Sequence, residues 1–333
     1  MFHCPSPTAR RPTATAQAGE LLRAAIPSIK AAAWVRGAAA VDRLRPMKTR
    51  ILRRPDPNRA VRQFVAGIKT IGALQLAVSW ASEMRFSLDF RKRAAARSRL
   101  AARHHNRDVY EFAQDFFPGN LTSPDGPSQL KSEILPMLDF AAELKPRTVV
   151  EIGTETGGTT FLFGAALTTV DLLVGIDCFV RNQKRLRALG RDELELHFIS
   201  ADSASPATYA RLEAILGGRM IDLLFIDGDH SFHGAARDFR TYRRLVRPGG
   251  LIAFHDIVPD SMLRSGVASA AWAGEVPLLW ELLRSQYRSH EFVESWTRQE
   301  GSGIGLLEYD PEVAPQLVPA RAMFSPGDGG SPA

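Results

Sequence analysis

VVEIGTETGGTTFLFGAAL, residues 149–167, is an apolar run that breaks into a glycine-rich turn and resumes apolar character at a different period. The run before the turn is short and β-branched, which suits a buried strand, and the stretch after it has helix length. Gly153, Gly157 and Gly158 let the chain turn tightly between the two. A strand, a bare turn and a helix in that order are the opening of an α/β unit.

The pattern continues outward from there. The runs TVVEIG, DLLVGID, ELHFIS, IDLLFID and GLIAFHD are each rich in Val, Ile, Leu or Phe, and most close on an acidic residue. Helix-length stretches lie between them. In SFHGAARDFRTYRRLVRPGG the residues Phe232, Ala236, Phe239, Tyr242 and Leu245 have helical spacing, and VRPGG reads as a helix stop and a turn before the next strand. Upstream, SQLKSEILPMLDFAAELKP places Leu130, Ile134, Leu138 and Ala142 on one helical stripe that stops at Pro146. Alternation of this kind predicts an α/β fold: a doubly wound, Rossmann-like parallel sheet with helices on both faces. Ligands of such sheets bind at the carboxyl ends of the strands, where the acidic residues stand.

The chain has 333 residues with 45% hydrophobic content, enough for a substantial core, and a net charge of +6. That charge is unevenly placed, since residues 1–110 hold 22 Lys and Arg against 6 Asp and Glu. Residues 1–60 are expected to form a basic, low-complexity and disordered segment. Residues 61–124 are expected to be helical, 125–312 to form the catalytic domain and 313–333 a flexible tail. The basic run RKRAAARSRLAARHHNR has no interleaved aromatics, so specific nucleic-acid binding is not expected. A solvated face or peripheral contact with an anionic membrane suits it better. The longest apolar candidate, Ile68–Trp80, is too short to span a bilayer. Cys4 and Cys178, far apart and outside any ligand spacing, indicate neither a disulfide framework nor a structural zinc site. A cytoplasmic protein, peripherally associated with membrane at most, is the expectation.

The glycine turn limits the ligand. A dinucleotide site would offer a helix amino terminus to pyrophosphate, yet Glu151 and Glu155 flank Gly153 and oppose a dianion. S-adenosyl-L-methionine has no phosphate and carries a positive sulfonium and an amino group, so it suits such a turn better. Asp177, 24 residues beyond Gly153, stands where an acid binds ribose hydroxyls. Asp202 and Ser203, at the end of the next run, could meet the adenine amine.

These residues resemble those of class I S-adenosylmethionine-dependent methyltransferases, in the branch of macrocin-type and rhamnosyl O-methyltransferases and cephalosporin-biosynthesis methyltransferase homologues. VVEIGTETGGTT, IDGDHSFHGAARDF, LVRPGGLIAFHDI and GEVPLLWELL carry the resemblance over residues 125–310. It implies a seven-stranded sheet closed by an antiparallel hairpin, for which EFVESW and GIGLLEYD are suitable around TRQEGS. It further implies that Glu151, Gly153, Thr154, Glu155 and Gly157 line the methionine part of the donor, Asp177 its ribose, and Asp202 and Ser203 its adenine, with Asp227 close by. Relatives with fuller machinery hold Mg2+ or another divalent cation through the acid of DGDH and an acidic pair closing the next strand, and use the histidine as base. The matching positions are Asp227, His230 and the pair His255–Asp256. His255 departs from the pattern, because an imidazole there favours a zinc-like ion, or no ion, over magnesium.

The implied reaction is methyl transfer to a hydroxyl of a sugar, glycolipid or natural product, with His230 as general base, Asp227 orienting it, and divalent-metal assistance through Asp227, Asp256 and His255. His233 is the lesser candidate for base, and Asp229 a helix cap. The segment Pro259–Trp280 is expected to lid the cleft. Small-molecule or glycolipid acceptors are the expected partners, and a homo-oligomer is compatible. The alternative is a degenerate methyltransferase fold serving as a binding or membrane-surface module.

Overall fold

The computed structural model describes residues 81, 84, 106–116, 127–189, 193–268 and 271–318. Expectations for residues 1–60, for most of 61–124 and for 319–333 fall outside the described residues. Within them, α1 (Asn106–Phe116) and α2 (Lys131–Glu143) precede β1 (Thr148–Ile152), α3 (Gly158–Ala166), β2 (Leu172–Asp177), α4 (Gln183–Leu189), β3 (Glu195–Ser200) and α5 (Pro206–Leu216). Then follow β4 (Ile221–Ile226), α6 (Phe232–Tyr242), β5 (Val246–His255), α7 (Ser261–Ser265), α8 (Val276–Arg284), β6 (Ser289–Phe292) and β7 (Ile304–Glu308).

One seven-stranded sheet runs in the order β3-β2-β1-β4-β5-β7-β6. The first five strands are mutually parallel, whereas β7 runs antiparallel to β5 and β6 antiparallel to β7. This is a Rossmann-like sheet, with its switch point between β1 and β4. The chain leaves β1 toward β2 on one side and returns to β4 on the other, opening a crevice at the strands' carboxyl ends.

Period-two alternation divides the core into two layers. Val150, Ile152, Leu224, Ile226, Ile252 and Phe254 face the layer containing Phe239, Tyr242, Leu279 and Trp280 of α6 and α8. Val149, Leu223, Phe225, Leu251 and Ala253 face the other, packed by Phe112 of α1, Ile134, Met137 and Leu138 of α2, and Phe161–Phe163 of α3. Each such buried side chain contributes roughly 1.5–3 kcal/mol relative to exposure. No helix among the described residues is long and apolar enough to cross a membrane.

Several local expectations shift. The stripe of α2 is Glu133, Ile134, Met137, Leu138 and Ala141, while Leu130 and Ala142 are exposed. VRPGG does not precede β5 but lies inside it: Ile221 pairs with Val246 and Leu223 with Leu251, so Asp222 faces the bulge from Arg247 to Gly250. Arg247 Nε donates to Asp222 Oδ1 at 2.6 Å and ties the bulge down. The hairpin strand expected at EFVESW starts earlier, at Ser289.

Candidate active site

The ends of β1, β2, β3, β4 and β5 deliver the expected acids to one edge of the sheet. Glu151 is the penultimate residue of β1, Asp177 the last of β2, and Asp202 and Ser203 follow β3; Asp227 follows β4 and Asp256 follows β5. Parallel in-register pairing does this, since Glu151 lies beside Gly175 and Phe225 in the neighbouring strands.

The first glycine of the turn has a packing reason of its own. Gly153 has φ +96°, and a Cβ there would lie 1.8 Å from the backbone oxygen of Asp227. The missing side chain makes room for the loop after β4. Gly157 has φ +87° and ends the turn as the residue ahead of α3, where a Cβ would strike Leu186.

Nor are two free negative charges present. Burial pushes the Glu151 carboxyl up to about 8, against a hydrogen bond donated by the Thr160 hydroxyl that partly lowers it. Glu155 forms an ion pair with the buried Arg181 side chain, and its carbonyl accepts from the Arg181 backbone N–H at 2.9 Å. Thr154, beside them, is buried.

Asp177 organises the turn. Its Oδ2 accepts from the Glu155 N–H at 2.9 Å and its Oδ1 from the Phe179 N–H at 2.7 Å. Burial raises its pKa, and these two amides oppose the rise. Asp202 is exposed and its Oδ1 accepts from the Ala204 N–H at 2.8 Å, while the Ser203 hydroxyl donates to Asp238 Oδ1 at 2.8 Å.

Across the switch point, four ionisable side chains meet. His230 Nε2 lies 3.2 Å from Asp227 Oδ1, and His230 Nδ1 lies 2.7 Å from the Trp272 carbonyl and 3.4 Å from Asp256 Oδ2. His255 Nδ1 is 3.3 Å from both Asp227 Oδ1 and Asp256 Oδ2. Burial opposes ionisation throughout, yet the two carboxylates outweigh it and raise both imidazoles, His255 well above its usual range. Burial likewise opposes the Asp227 charge, and His255 and His230 together hold its carboxyl well below the usual range. Asp227, His230 and Asp256 each offer a ligand atom within 4.8 Å of the others, and His255 Nδ1 stands equally close to both carboxylates.

Sequence reasoning missed the groups behind this cluster. Gln129 donates from Nε2 to Asp227 Oδ2 at 2.9 Å and accepts from the Thr159 hydroxyl, joining the stretch before α2 to α3 and to β4. Glu133 is fully buried, and its Oε2 accepts from the Gly303 N–H at 2.8 Å. The same loop sends the Ser302 N–H to Asp256 Oδ1 at 2.8 Å, which steadies Asp256 in its left-handed φ of +62°. A lone Gln before a helix carries no signal, but an acid on the apolar stripe of α2 does.

The minor expectations resolve plainly. Asp229 Oδ1 accepts from the Ser231 N–H at 3.0 Å, just ahead of the Ser231 cap of α6, and His233 is exposed. Burial varies along the segment Pro259–Trp280. Trp280 is core, packed over Gly305, whereas Trp272 is 66% exposed. Gly274 turns this segment back at φ +59° directly against the His230 carbonyl.

Residues 150–257 match a methyltransferase domain family. The matched stretch runs from within β1 to just past β5 and holds Glu151, Asp177, Asp202, Asp227 and Asp256. A protein of Acanthamoeba polyphaga mimivirus, R132, is 33% identical over 134 residues, 38% of this chain and 59% of its own length. Protein y4gI of Sinorhizobium fredii is 26% identical over 191 residues, 54% of this chain and 19% of its own length. The chain thus spans well under two thirds of the curated relatives it matches. Among solved structures, an O-methyltransferase from Bacillus cereus in complex with SAH aligns with a TM-score of 0.38 at 14% identity, over 52% of this chain and 79% of that one.

Proposed function

We propose that the chain is an S-adenosyl-L-methionine-dependent methyltransferase that acts on a hydroxyl of a sugar, glycolipid or natural product. The observation that carries this reading is the joint placement of Glu151, Asp177 and Asp202 at the ends of three adjacent parallel strands, beside the Asp227–His230–Asp256 cluster. Ribose hydroxyls would find Asp177, whose oxygens keep lone pairs beyond the two amides. The methionine end would lie over the glycine turn near Glu151.

When bound, the donor supplies a methyl carbon already activated by its sulfonium. The protein then has to align the acceptor and take its proton. With its Nδ1–H donated to the Trp272 carbonyl, neutral His230 would take the acceptor proton on Nε2; Asp227 beside that nitrogen raises the His230 pKa and stabilises the imidazolium formed, so the base works from the neutral form that rising pH supplies. As the acceptor oxygen bonds to the methyl carbon, the carbon–sulfur bond breaks, its electron pair stays on sulfur, and the acceptor proton passes to His230. Asp227 and Asp256, with His255 Nδ1 3.3 Å from an oxygen of each, also fit a divalent cation by donor type and proximity and leave the His230 lone pair to the proton. Such an ion would lower the pKa of the acceptor hydroxyl, and the imidazole in the set favours a zinc- or manganese-like ion over magnesium. Exposed Trp272, whose carbonyl meets His230, suits an acceptor with an apolar portion.

The test is binding of S-adenosyl-L-methionine by calorimetry, followed by transfer of a labelled methyl group to a panel of glycosides and glycolipids. Binding with transfer that His230→Ala abolishes is expected; no binding at millimolar donor rejects the reading.

A further inference from the structure

Helix α6 carries an acid where packing calls for an apolar residue. Asp238 lies on the buried stripe with Ala235, Phe239 and Tyr242 and is itself 0% exposed. Its Oδ1 accepts from the Ser203 hydroxyl at 2.8 Å, and its Oδ2 is buried without a partner. One turn on, the Tyr242 hydroxyl donates to the Ser203 carbonyl at 2.6 Å. The same carboxyl also lies under the loop after β4, since a Cβ on Gly228 would meet Asp238 Oδ2 at 3.5 Å. From the other side, the Thr208 hydroxyl of α5 donates to the Asp202 carbonyl at 2.7 Å.

A buried oxygen without a partner costs about 1–3 kcal/mol, so a hydrophobic residue would serve α6 better if only folding mattered. Burial, helped by Asp229 and Asp202 nearby and opposed by the Ser203 hydrogen bond and Arg237, pushes the Asp238 carboxyl up to about 6. The group therefore takes a proton easily and can hold Ser203 without full charge. Its two contacts lead to the loops after β3 and β4, which flank the place assigned above to the nucleobase.

We propose that Asp238 and Tyr242 are positioning residues for the nucleobase: together they grip Ser203 by its hydroxyl and its carbonyl and so fix the Asp202–Ser203 loop against the base. This rests on the donor-site reading of the preceding subsection. It adds two residues of α6, a helix whose amino terminus follows His230, so the same helix spans the base end of the site and the proton-accepting end.

The experiment measures binding of S-adenosylhomocysteine and of methylthioadenosine, which lacks the amino-acid end, by calorimetry on the full chain. Ser203→Ala and Asp238→Ala are each expected to weaken both probes by the same factor, about fivefold for one hydrogen bond. The double variant should be no weaker than either single one, because both remove one contact. Asp238→Asn, which still accepts from Ser203, should bind within about twofold of the natural protein. Unchanged binding in a folded Asp238→Ala, full additivity in the double variant, or loss confined to S-adenosylhomocysteine each overturns the proposal. Should Asp238→Ala fail to fold, Ser203→Ala and Tyr242→Phe decide, with unchanged affinity in both overturning it. If the natural protein binds neither probe, the donor-site reading fails instead.

Discussion

The backbone oxygen of Asp227 occupies the place where a side chain on Gly153 would begin, 1.8 Å from the ideal Cβ position. The turn after β1 and the loop after β4 therefore meet backbone to backbone, and Asp227 N–H also donates to the Ile152 carbonyl at 2.8 Å. The crevice at the switch point is set by this contact.

Gly153→Ala should accordingly displace Asp227 and destabilise the domain by more than about 3 kcal/mol, through a steric clash added to a positive φ. Gly218→Ala is the control: its φ is +87° too, but nothing lies within 4 Å of a Cβ there. It should cost only about 1 kcal/mol of backbone strain. Chemical denaturation of the two variants measures the difference, and equal losses would refute the packing account.

Glu151 is expected to be protonated in most unliganded molecules at neutral pH, because burial pushes its pKa up to about 8. A cationic donor favours the ionised form, so donor binding should release a proton there. Affinity should rise with pH toward 8 by up to about tenfold per unit. Glu151→Gln should lose the part of that slope due to this group, and calorimetry in buffers of different ionisation enthalpy would count the proton released.

Asp238 makes a prediction about stability. Its folded pKa, about 6, is raised above the unfolded value, so its contribution is fully present below about pH 4 and is lost as pH rises through 6. Asp238→Asn abolishes that loss. The variant should be more stable than the natural protein at pH 8 by about 2–3 kcal/mol relative to their difference at pH 4. Urea melts at the two pH values test this, and a pH-independent difference would contradict it.

Gln129 touches Asp227 and Thr159 but reaches neither the donor turn at Glu155 nor Asp177. Gln129→Ala should lower turnover by about 10- to 100-fold, as loss of an orienting partner does, with donor affinity within twofold. Equal damage to both quantities would show a general disturbance of the fold.

A divalent ion held by Asp227, Asp256 and His255 would stabilise the folded chain by mass action. Adding Zn2+ or Mn2+ should raise the melting temperature of the natural protein, and Mg2+ should raise it less. Asp256→Asn should abolish the response. No shift with any ion would leave the four side chains as an ion-pair network without metal.

Much of this site was legible along the chain. Alternating strand and helix runs specify a doubly wound sheet because periods of two and of three to four residues bury different faces. That topology alone brings strand ends, hence Glu151, Asp177, Asp202, Asp227 and Asp256, to one edge. What those acids do there depends on neighbours distant in sequence. Arg181 neutralises Glu155, desolvation protonates Glu151, and Asp227 is flanked by His230, His255 and Gln129. Charge state is set by burial and by the nearest opposite charge, and both appear only when the chain is packed. Even the glycine at the first turn, identifiable from its place in the motif, owes its necessity to a carbonyl from another strand. Local pattern determined where the polypeptide would put its functional groups, and tertiary contact decided which of them keep their charge.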